Sequence, residues 1–247
     1  MKAMVVQDAA LEWSDIGDCQ GLSGHLFRAG FASISHITTI EDINLIRTEL
    51  LDLLDDHSGR KYEIRNLGDA VSDSRDGSIL EVVSPSAVRP RLLESLFLQR
   101  ALHVSRAVIG ASARLRFDHF ISKPPHNAAE TDWHQDSAYR RLTRSPRRIH
   151  WWLPLQDVSI DNGCMQFVER SHLGPVQSHT PRQVGAHALR TELPTNAIPI
   201  ACPLTVGGAT IHLPKTLHCT GANNSDLARH AWIVQIGIPN WIPTFFR

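Results

Sequence analysis

The chain has 247 residues and carries 25 basic and 25 acidic side chains, so its formal net charge at neutral pH is zero. This balance argues against nucleic acid or an anionic membrane surface as a partner. The four cysteines form no CxxC pair, which argues against a zinc ribbon or a dense disulfide framework. Neither a secretory apolar run nor a stretch of roughly 18 uncharged apolar residues is present. We therefore expect a cytoplasmic protein.

Two amphipathic helices are predicted in the first half of the chain. Thr38 and Glu41 have the spacing of a capping box, and apolar residues then recur at helical intervals until Gly59, a candidate C-terminal cap. A second helix is predicted from Pro90 to Gly110. Because each helix has one apolar face, both are expected to pack on another element.

After Gly110 the pattern changes to short apolar or alternating runs that are separated by Pro, Gly and Asn. Such a series is typical of an all-β sandwich or barrel. The strands are predicted near residues 113–121, 132–136, 148–156, 163–168, 197–202, 209–213 and 230–238. We predict one mainly β domain over residues 1–247, with a helical cover at about 1–110 and a jelly-roll core at about 111–240.

The sequence Asp-Trp-His-Gln-Asp at 132–136 contains a candidate metal-binding pair. In an extended strand His134 and Asp136 project from one face, which would supply two ligands of a 2-His-1-carboxylate triad. His218 is a candidate for the third ligand, and His212 competes with it on spacing alone. Such a triad leaves coordination positions of Fe(II) open for a bidentate 2-oxo acid and dioxygen, which a closed four-ligand site cannot do.

Several short motifs, in matching order over roughly residues 25–238, resemble the phytanoyl-CoA dioxygenase family. They are Gly30-Phe31, Lys123-Pro124-Pro125, Trp133-His134-Gln135-Asp136, Tyr139, Asn162-Gly163-Cys164, Ser171-His172, and His218 with Gly221, Asn223, Ser225 and Arg229. The family's Pro-Gly-Ser-His turn is replaced by Glu169-Arg170-Ser171-His172, and its Gly-Asp by Gly207-Gly208. These departures affect loop conformation and lie outside the metal set.

The resemblance implies a double-stranded β-helix fold (a cupin-like jelly roll) with N-terminal and flanking α-helices. It also implies Fe(II) as the metal, 2-oxoglutarate as the co-substrate and O2 as the oxidant. The positions that match the family's iron ligands are His134, Asp136 and His218.

The same resemblance implies where 2-oxoglutarate binds. Arg229 matches the arginine that holds its distal carboxylate, and a guanidinium suits this task because it offers a planar two-point fork. Thr220 is expected to donate to the same carboxylate, Trp152 to pack near the co-substrate, and His119 to reach its other end. Without the family register, Arg229 would be interpreted as a surface arginine paired with Asp226.

Substrate contacts are predicted at Tyr139, Arg140 and Arg141. Five arginines lie between residues 140 and 148. They form either a solvated loop or a lid that meets an anionic substrate, such as a carboxylate, a phosphate or a thioester-tethered molecule. No aromatic side chains are interleaved with the arginines, which again argues against nucleic acid.

The predicted activity is that of a non-haem iron dioxygenase of secondary metabolism. It would hydroxylate an unactivated C–H bond of a small molecule, free or bound to a carrier or CoA, and convert 2-oxoglutarate to succinate and CO2. Desaturation, epoxidation and cyclisation use the same ligands, whereas Asp136 argues against a halogenase. The alternatives are a non-catalytic metal-binding jelly-roll protein and a cupin-type isomerase or hydrolase. The motifs specify no oligomeric state.

Overall fold

The computed structural model describes residues 4–7, 10–13, 19–55, 62–67, 79–139, 147–182 and 188–239. Its helices are α1 (Gln20–Ala29), α2 (Ile40–Asp55) and α3 (Leu96–Ile109). Its strands are β1 (Val5–Val6), β2 (Leu11–Glu12), β3 (Phe31–Ser35), β4 (Ile64–Asn66), β5 (Leu80–Val83), β6 (Arg114–Lys123), β7 (Thr131–His134), β8 (Arg148–Pro154), β9 (Met165–Phe167), β10 (Thr180–Pro181), β11 (Leu189–Arg190), β12 (Ile200–Cys202), β13 (Ala209–His212), β14 (His218–Thr220) and β15 (Arg229–Gly237). Gly59, the predicted helix cap, lies outside the described residues.

The strands form two main sheets. The larger has eight strands in the order β2-β3-β13-β8-β15-β6-β5-β4, and the smaller has five in the order β1-β12-β9-β14-β7. Strands β10 and β11 form a separate antiparallel pair. Most neighbours in the two main sheets are not consecutive in the sequence, and most are antiparallel, as the jelly-roll prediction requires.

The two sheets pack against each other through an apolar layer. Phe31 of β3 and Phe167 of β9 stack with their ring centroids 4.5 Å apart and their planes 12° from parallel. The layer also contains Trp152, Ala231 and Ile233 from the larger sheet and Met165, Ala201 and Cys202 from the smaller one. Part of this layer also lines the cavity described below.

The three helices cover the other face of the eight-stranded sheet. Trp151 of β8 points to this side, packs edge-on against Phe97 of α3 and donates its indole N–H to Ser105 Oγ at 3.0 Å. Since side chains alternate along a strand, its neighbours His150 and Trp152 face the opposite sheet. None of the described helices is long and apolar enough to cross a membrane.

The N-terminal cap of α2 lies one residue later than predicted. Helix α2 begins at Ile40, and Thr39 rather than Thr38 accepts the backbone N–H of Asp42, at 3.3 Å. The Asp42 carboxylate also accepts the first two backbone N–H groups of α3, each at 2.9 Å. One carboxylate thus joins two helix N-termini, where negative charge is favoured.

The N-terminal part of the chain is more than a helical cover. Strands β3, β4 and β5 belong to the eight-stranded sheet, and α1 precedes the two predicted helices. Gly30 ends α1 in a left-handed conformation with φ of 95°. A Cβ at this position would lie 2.4 Å from His172 Nδ1, so glycine allows the chain to turn directly into β3.

Candidate metal centre and co-substrate pocket

Two strands of the smaller sheet bring His134 and His218 together. Strands β7 and β14 are antiparallel, and the two histidines are direct register partners, with ring centroids 4.2 Å apart. Both residues are buried, with relative exposures of 8% and 5%. The strand pairing therefore joins side chains that are 84 positions apart in the sequence.

Asp136 reaches the same point by a different backbone path than predicted. Strand β7 ends at His134, and Asp136 begins a short 3-10 turn instead of continuing the strand. The intervening Gln135 is 1% exposed; its amide donates to Lys215 O at 2.7 Å and accepts from Gln177 N at 2.8 Å. These bonds hold Gln135 on the far side, so that His134 and Asp136 both face the cavity.

The two imidazoles are prepared to donate a nitrogen lone pair to a cation. His134 Nδ1 lies 2.7 Å from Asp132 O, and His218 Nδ1 lies 2.8 Å from Thr216 O. A carbonyl can only accept, so each Nδ1 carries the proton and each Nε2 keeps its lone pair. The Nε2 atoms lie 3.6 and 3.7 Å from the oxygens of Asp136, and one potential ligand atom from each residue lies within 4.8 Å of the others.

His150 and His212 form a second layer around the same carboxylate. His150 Nδ1 lies 2.5 Å and His212 Nε2 lies 3.1 Å from Asp136 Oδ2. These two residues and Asp136 also satisfy the spacing of a metal-binding group. Their short contacts to the carboxylate, however, are those of hydrogen-bond donors, which fits His212 as a partner of Asp136 better than as the third ligand.

Burial and mutual proximity keep the two imidazoles neutral. Burial, with the neighbouring His218, lowers the pKa of His134 to about 4, and burial likewise lowers the pKa of His218 to about 4. Burial favours protonation of Asp136, but the adjacent His150 and His218 outweigh it and hold the pKa of this carboxyl well below its usual value. Two neutral imidazoles and one carboxylate are the forms that bind a divalent metal.

These pKa shifts predict that the metal-free protein loses stability in mild acid. Unfolded histidine titrates near 6.5 and the folded ligands near 4, so between these values the unfolded chain binds more protons. Lowering the pH from 7 to 5 should therefore cost about 2 kcal/mol of unfolding free energy for each of the two histidines. Urea unfolding of chelator-treated protein at both pH values measures this loss.

A glutamine substitution isolates the contribution of one of these histidines. His218→Gln should make the loss between pH 7 and pH 5 smaller by about 2 kcal/mol. The control His126→Gln changes a side chain that is 67% exposed and should leave the pH dependence unchanged. Equal pH dependence in His218→Gln and wild type would show that His218 does not titrate as a buried neutral base.

Arg229 lies in a buried pocket beside this cluster, together with Thr220 and Trp152. Arg229 is 2% exposed, its Nη2 lies 3.3 Å from Thr220 Oγ1, and its guanidinium lies over the Trp152 ring at 5.6 Å. Its Nε has no hydrogen-bond partner among the described residues. The surface pairing with Asp226 does not occur, because Asp226 is exposed and contacts His126 at 2.9 Å. Burial lowers the pKa of Arg229 to about 10, which keeps it charged at neutral pH.

Lys123 lies beside Arg229 and Thr220, and the sequence assigned it no role. It is the register partner of Arg229 and is fully buried. Its Nζ donates to Gly221 O at 2.6 Å. Burial, together with the charge of Arg229, lowers the pKa of Lys123 to about 6, so the amine is mostly neutral at pH 7. The Lys-Pro-Pro motif could have indicated it, but only the strand register shows that it adjoins Arg229.

One cavity of about 380 Å³ connects the metal cluster with this pocket. Its wall includes Phe117, His119 and Ile121 of β6 together with Glu81 of β5. His119 Nδ1 lies 2.5 Å from Glu81 Oε1, and Arg65 lies 3.6 Å from the other oxygen of that carboxylate. His119 therefore has only Nε2 available for a ligand.

Of the three predicted substrate residues, one lines the cavity and two lie outside the described residues. Tyr139 lines the cavity, lies edge-on to His134 with centroids 5.9 Å apart, and accepts the Leu189 N–H at 2.9 Å. Arg140 and Arg141 lie outside the described residues.

Comparison with known proteins places these features in a family. The family model of phytanoyl-CoA dioxygenase (PhyH) matches residues 28–231. Phytanoyl-CoA dioxygenase domain-containing protein 1 from Bos taurus is 28% identical over 123 residues, which cover 47% of this chain and 42% of that protein. A probable alpha-ketoglutarate-dependent hypophosphite dioxygenase from Stutzerimonas stutzeri is 25% identical over 203 residues, covering 79% and 68%. The chain thus spans less than half the length of the Bos taurus relative that it matches.

The fold comparison agrees. The crystal structure of EvdO2 from Micromonospora carbonacea var. aurantiaca, complexed with 2-oxoglutarate, has a TM-score of 0.73 and 24% identity, covering 98% of this chain and 96% of that one. This likeness confirms the predicted jelly-roll fold with flanking helices. Because the family model covers well over half of the sequence, the resemblance seen in the motifs is also confirmed, and the chain belongs to the phytanoyl-CoA dioxygenase (PhyH) family.

Proposed function

We propose that this protein is an Fe(II)- and 2-oxoglutarate-dependent oxygenase whose metal is held by His134, Asp136 and His218. The observation that carries the proposal is the orientation of the two imidazoles. Each has its Nδ1 proton bound to a backbone carbonyl and its Nε2 directed at the same carboxylate. Two imidazoles and one carboxylate form the donor set of non-haem Fe(II) oxygenases.

The metal and the protein would make separate contributions to the reaction. When bound, Fe(II) would supply the activation of dioxygen that is coupled to oxidation of 2-oxoglutarate to succinate and CO2, and hence the power to oxidise a C–H bond. The protein supplies ligation, orientation and exclusion of water. His150 and His212 support this by fixing the Oδ2 atom of Asp136.

Arg229 is proposed to bind the distal carboxylate of 2-oxoglutarate. It is buried and charged, and the described residues offer it no carboxylate partner, which leaves a desolvated guanidinium that an anionic ligand would neutralise. Thr220 and Trp152 fix its position from two sides. The neutral Lys123 amine next to it adds a donor without adding a second full charge.

The remaining cavity is proposed to hold a small organic substrate with both apolar and polar parts. Phe117, Ile121 and Ile233 provide an apolar wall, and the pair of His119 and Glu81 provides a polar one. A volume of about 380 Å³ suits a co-substrate and a small molecule or the end of a larger one. Hydroxylation is the outcome that we propose; desaturation, epoxidation and cyclisation are alternative outcomes of the same ligand set.

Co-substrate turnover tests this function before the substrate is known. Protein supplied with Fe(II), O2 and 2-oxoglutarate should form succinate slowly, and a compound that fits the cavity should accelerate the reaction. Replacing Fe(II) with Zn(II) should stop it, because Zn(II) has no redox chemistry. Succinate formation that does not depend on Fe(II) would exclude the proposal, and iron binding without any turnover would favour a non-catalytic metal-binding protein.

A further inference from the structure

Arg148 is a buried arginine whose charge no described residue satisfies. It is 6% exposed, and its Nε and Nη1 atoms are buried without a hydrogen-bond partner among the described residues. Burying a charged group without a partner costs several kcal/mol. Binding of an anion would offset this cost, because a guanidinium offers charged hydrogen-bond donors to a carboxylate or a phosphate.

The position of Arg148 relates it to the proposed active site. Arg148, His150 and Trp152 alternate along β8 and so share the face opposite the helices. His150 contacts Asp136, and Trp152 lies under Arg229. The metal cluster therefore lies between two arginines, with Arg148 about 7 Å along the strand from His150, on the side away from Trp152.

The neighbouring strand is adapted to hold the Arg148 side chain. Its register partner is Gly237, the last residue of β15, and a Cβ there would lie 2.8 Å from Arg148 Cγ and 3.4 Å from Arg116 Cγ. Glycine thus leaves room for two arginine stems to converge on one point. Among the described residues neither arginine has a carboxylate within the 4.0 Å of an ion pair, so nothing in that part of the chain neutralises this end of the sheet.

We propose that Arg148, assisted by Arg116, binds an anionic group of the substrate, namely a carboxylate or a phosphate. This inference rests on the proposed function, because it assigns 2-oxoglutarate to the Arg229 end of the cavity and the anionic group of the substrate to Arg148, beyond the His150 end of the cavity wall. The cavity wall ends at His150 and Gln235, two register positions before Arg148 and Gly237. The guanidinium fork fits either oxyanion at two points.

The test titrates methylphosphonate and acetate, at constant ionic strength, into protein that is saturated with Fe(II) and 2-oxoglutarate under anaerobic conditions. Because 2-oxoglutarate then occupies the pocket at Arg229, calorimetry measures binding of the probe at Arg148. Wild-type protein should bind one of the two probes saturably, and the tighter probe identifies the anionic group of the substrate. Arg148→Met should weaken this binding at least tenfold and leave 2-oxoglutarate affinity unchanged. Arg147→Met, on the exposed preceding residue, is the matched control and should behave as wild type.

Several outcomes would overturn the assignment. If neither probe binds saturably to wild-type protein, the assignment is wrong. This outcome needs no variant, so it is informative even if Arg148→Met fails to fold. Equal probe affinity in Arg148→Met and wild type would also contradict the assignment. Failure of 2-oxoglutarate itself to bind would instead contradict the proposed function, so the two failures are distinguishable.

Discussion

Asp136→Ala is expected to abolish succinate formation. Among the described residues the carboxylate is the only anionic donor in the cluster, and four histidines lie within 3.7 Å of its oxygens. Its loss removes a ligand and leaves four imidazoles without the negative charge that they share. Changes to residues that only support a ligand reduce metal affinity or activity by about 10- to 100-fold, so loss of the ligand itself should exceed about 100-fold.

The measurement is succinate formed per enzyme at saturating Fe(II) and 2-oxoglutarate, with circular dichroism as a check on folding. Asp226→Ala is the matched control, because Asp226 has a side-chain exposure of 94% and contacts only His126 among the ion pairs of the described residues. It should turn over at the wild-type rate. Wild-type turnover in Asp136→Ala would remove Asp136 from the ligand set.

Arg229→Met is expected to weaken 2-oxoglutarate binding by about 30- to 5,000-fold, because loss of one member of a buried charge pair costs about 2–5 kcal/mol. The methionine keeps much of the packing against Trp152 but offers no donor. Iron affinity should stay near the wild-type value, since Arg229 has no contact with the three proposed ligands. Arg229→Lys should recover only part of the loss, because an ammonium cannot bind a carboxylate at two points.

Anaerobic titration of 2-oxoglutarate into the Fe(II)-loaded variant measures this effect. Arg182→Met serves as the control, since Arg182 also lines the cavity but contacts Asp132 at 3.5 Å. It should leave 2-oxoglutarate affinity unchanged. Unchanged catalysis and co-substrate affinity in Arg229→Met would instead support the cupin-type isomerase or hydrolase, which needs no 2-oxo acid.

The site residues that could be predicted are those that belong to a short, recognisable sequence motif. The spacing of His134 and Asp136 is visible in five consecutive residues, and the family motifs supplied His218 and Arg229. The partners of these residues were not predictable in the same way. His150 and Lys123 acquire their roles only through strand register, because each lies opposite or beside a residue that is distant in the sequence.

The secondary structure shows the same difference between elements with a local sequence signal and elements that depend on tertiary contacts. Helices α2 and α3 have strong amphipathic patterns and were predicted, whereas α1 contains Gly21 and Gly24, which weaken helix propensity and obscure the spacing of Leu22 and Leu26. Strand β3 has only five residues, too few for a strong periodic signal, and it is buried along its whole length, including its two serines. Tertiary burial, not local preference, makes it a strand.

One departure from the family pattern has a structural counterpart. Arg170 replaces the glycine of the family's Pro-Gly-Ser-His turn, yet it adopts a left-handed conformation with φ of 62°. The turn is still held, because Ser171 Oγ donates to Val168 O at 2.6 Å and accepts the N–H of Leu217 at 2.8 Å. Since Leu217 precedes His218, the altered turn still supports the start of β14.

The central claim is that three converging side chains hold one ferrous ion and leave room on it for a chelating co-substrate. Anaerobic addition of 2-oxoglutarate to the Fe(II)-loaded protein tests this most directly, because a weak visible charge-transfer band arises only when the 2-oxo acid chelates the iron. We predict a band that saturates at one iron per chain and is lost in Asp136→Ala. A protein that binds Zn(II) or Fe(II) tightly but gives no band with 2-oxoglutarate would contradict the account.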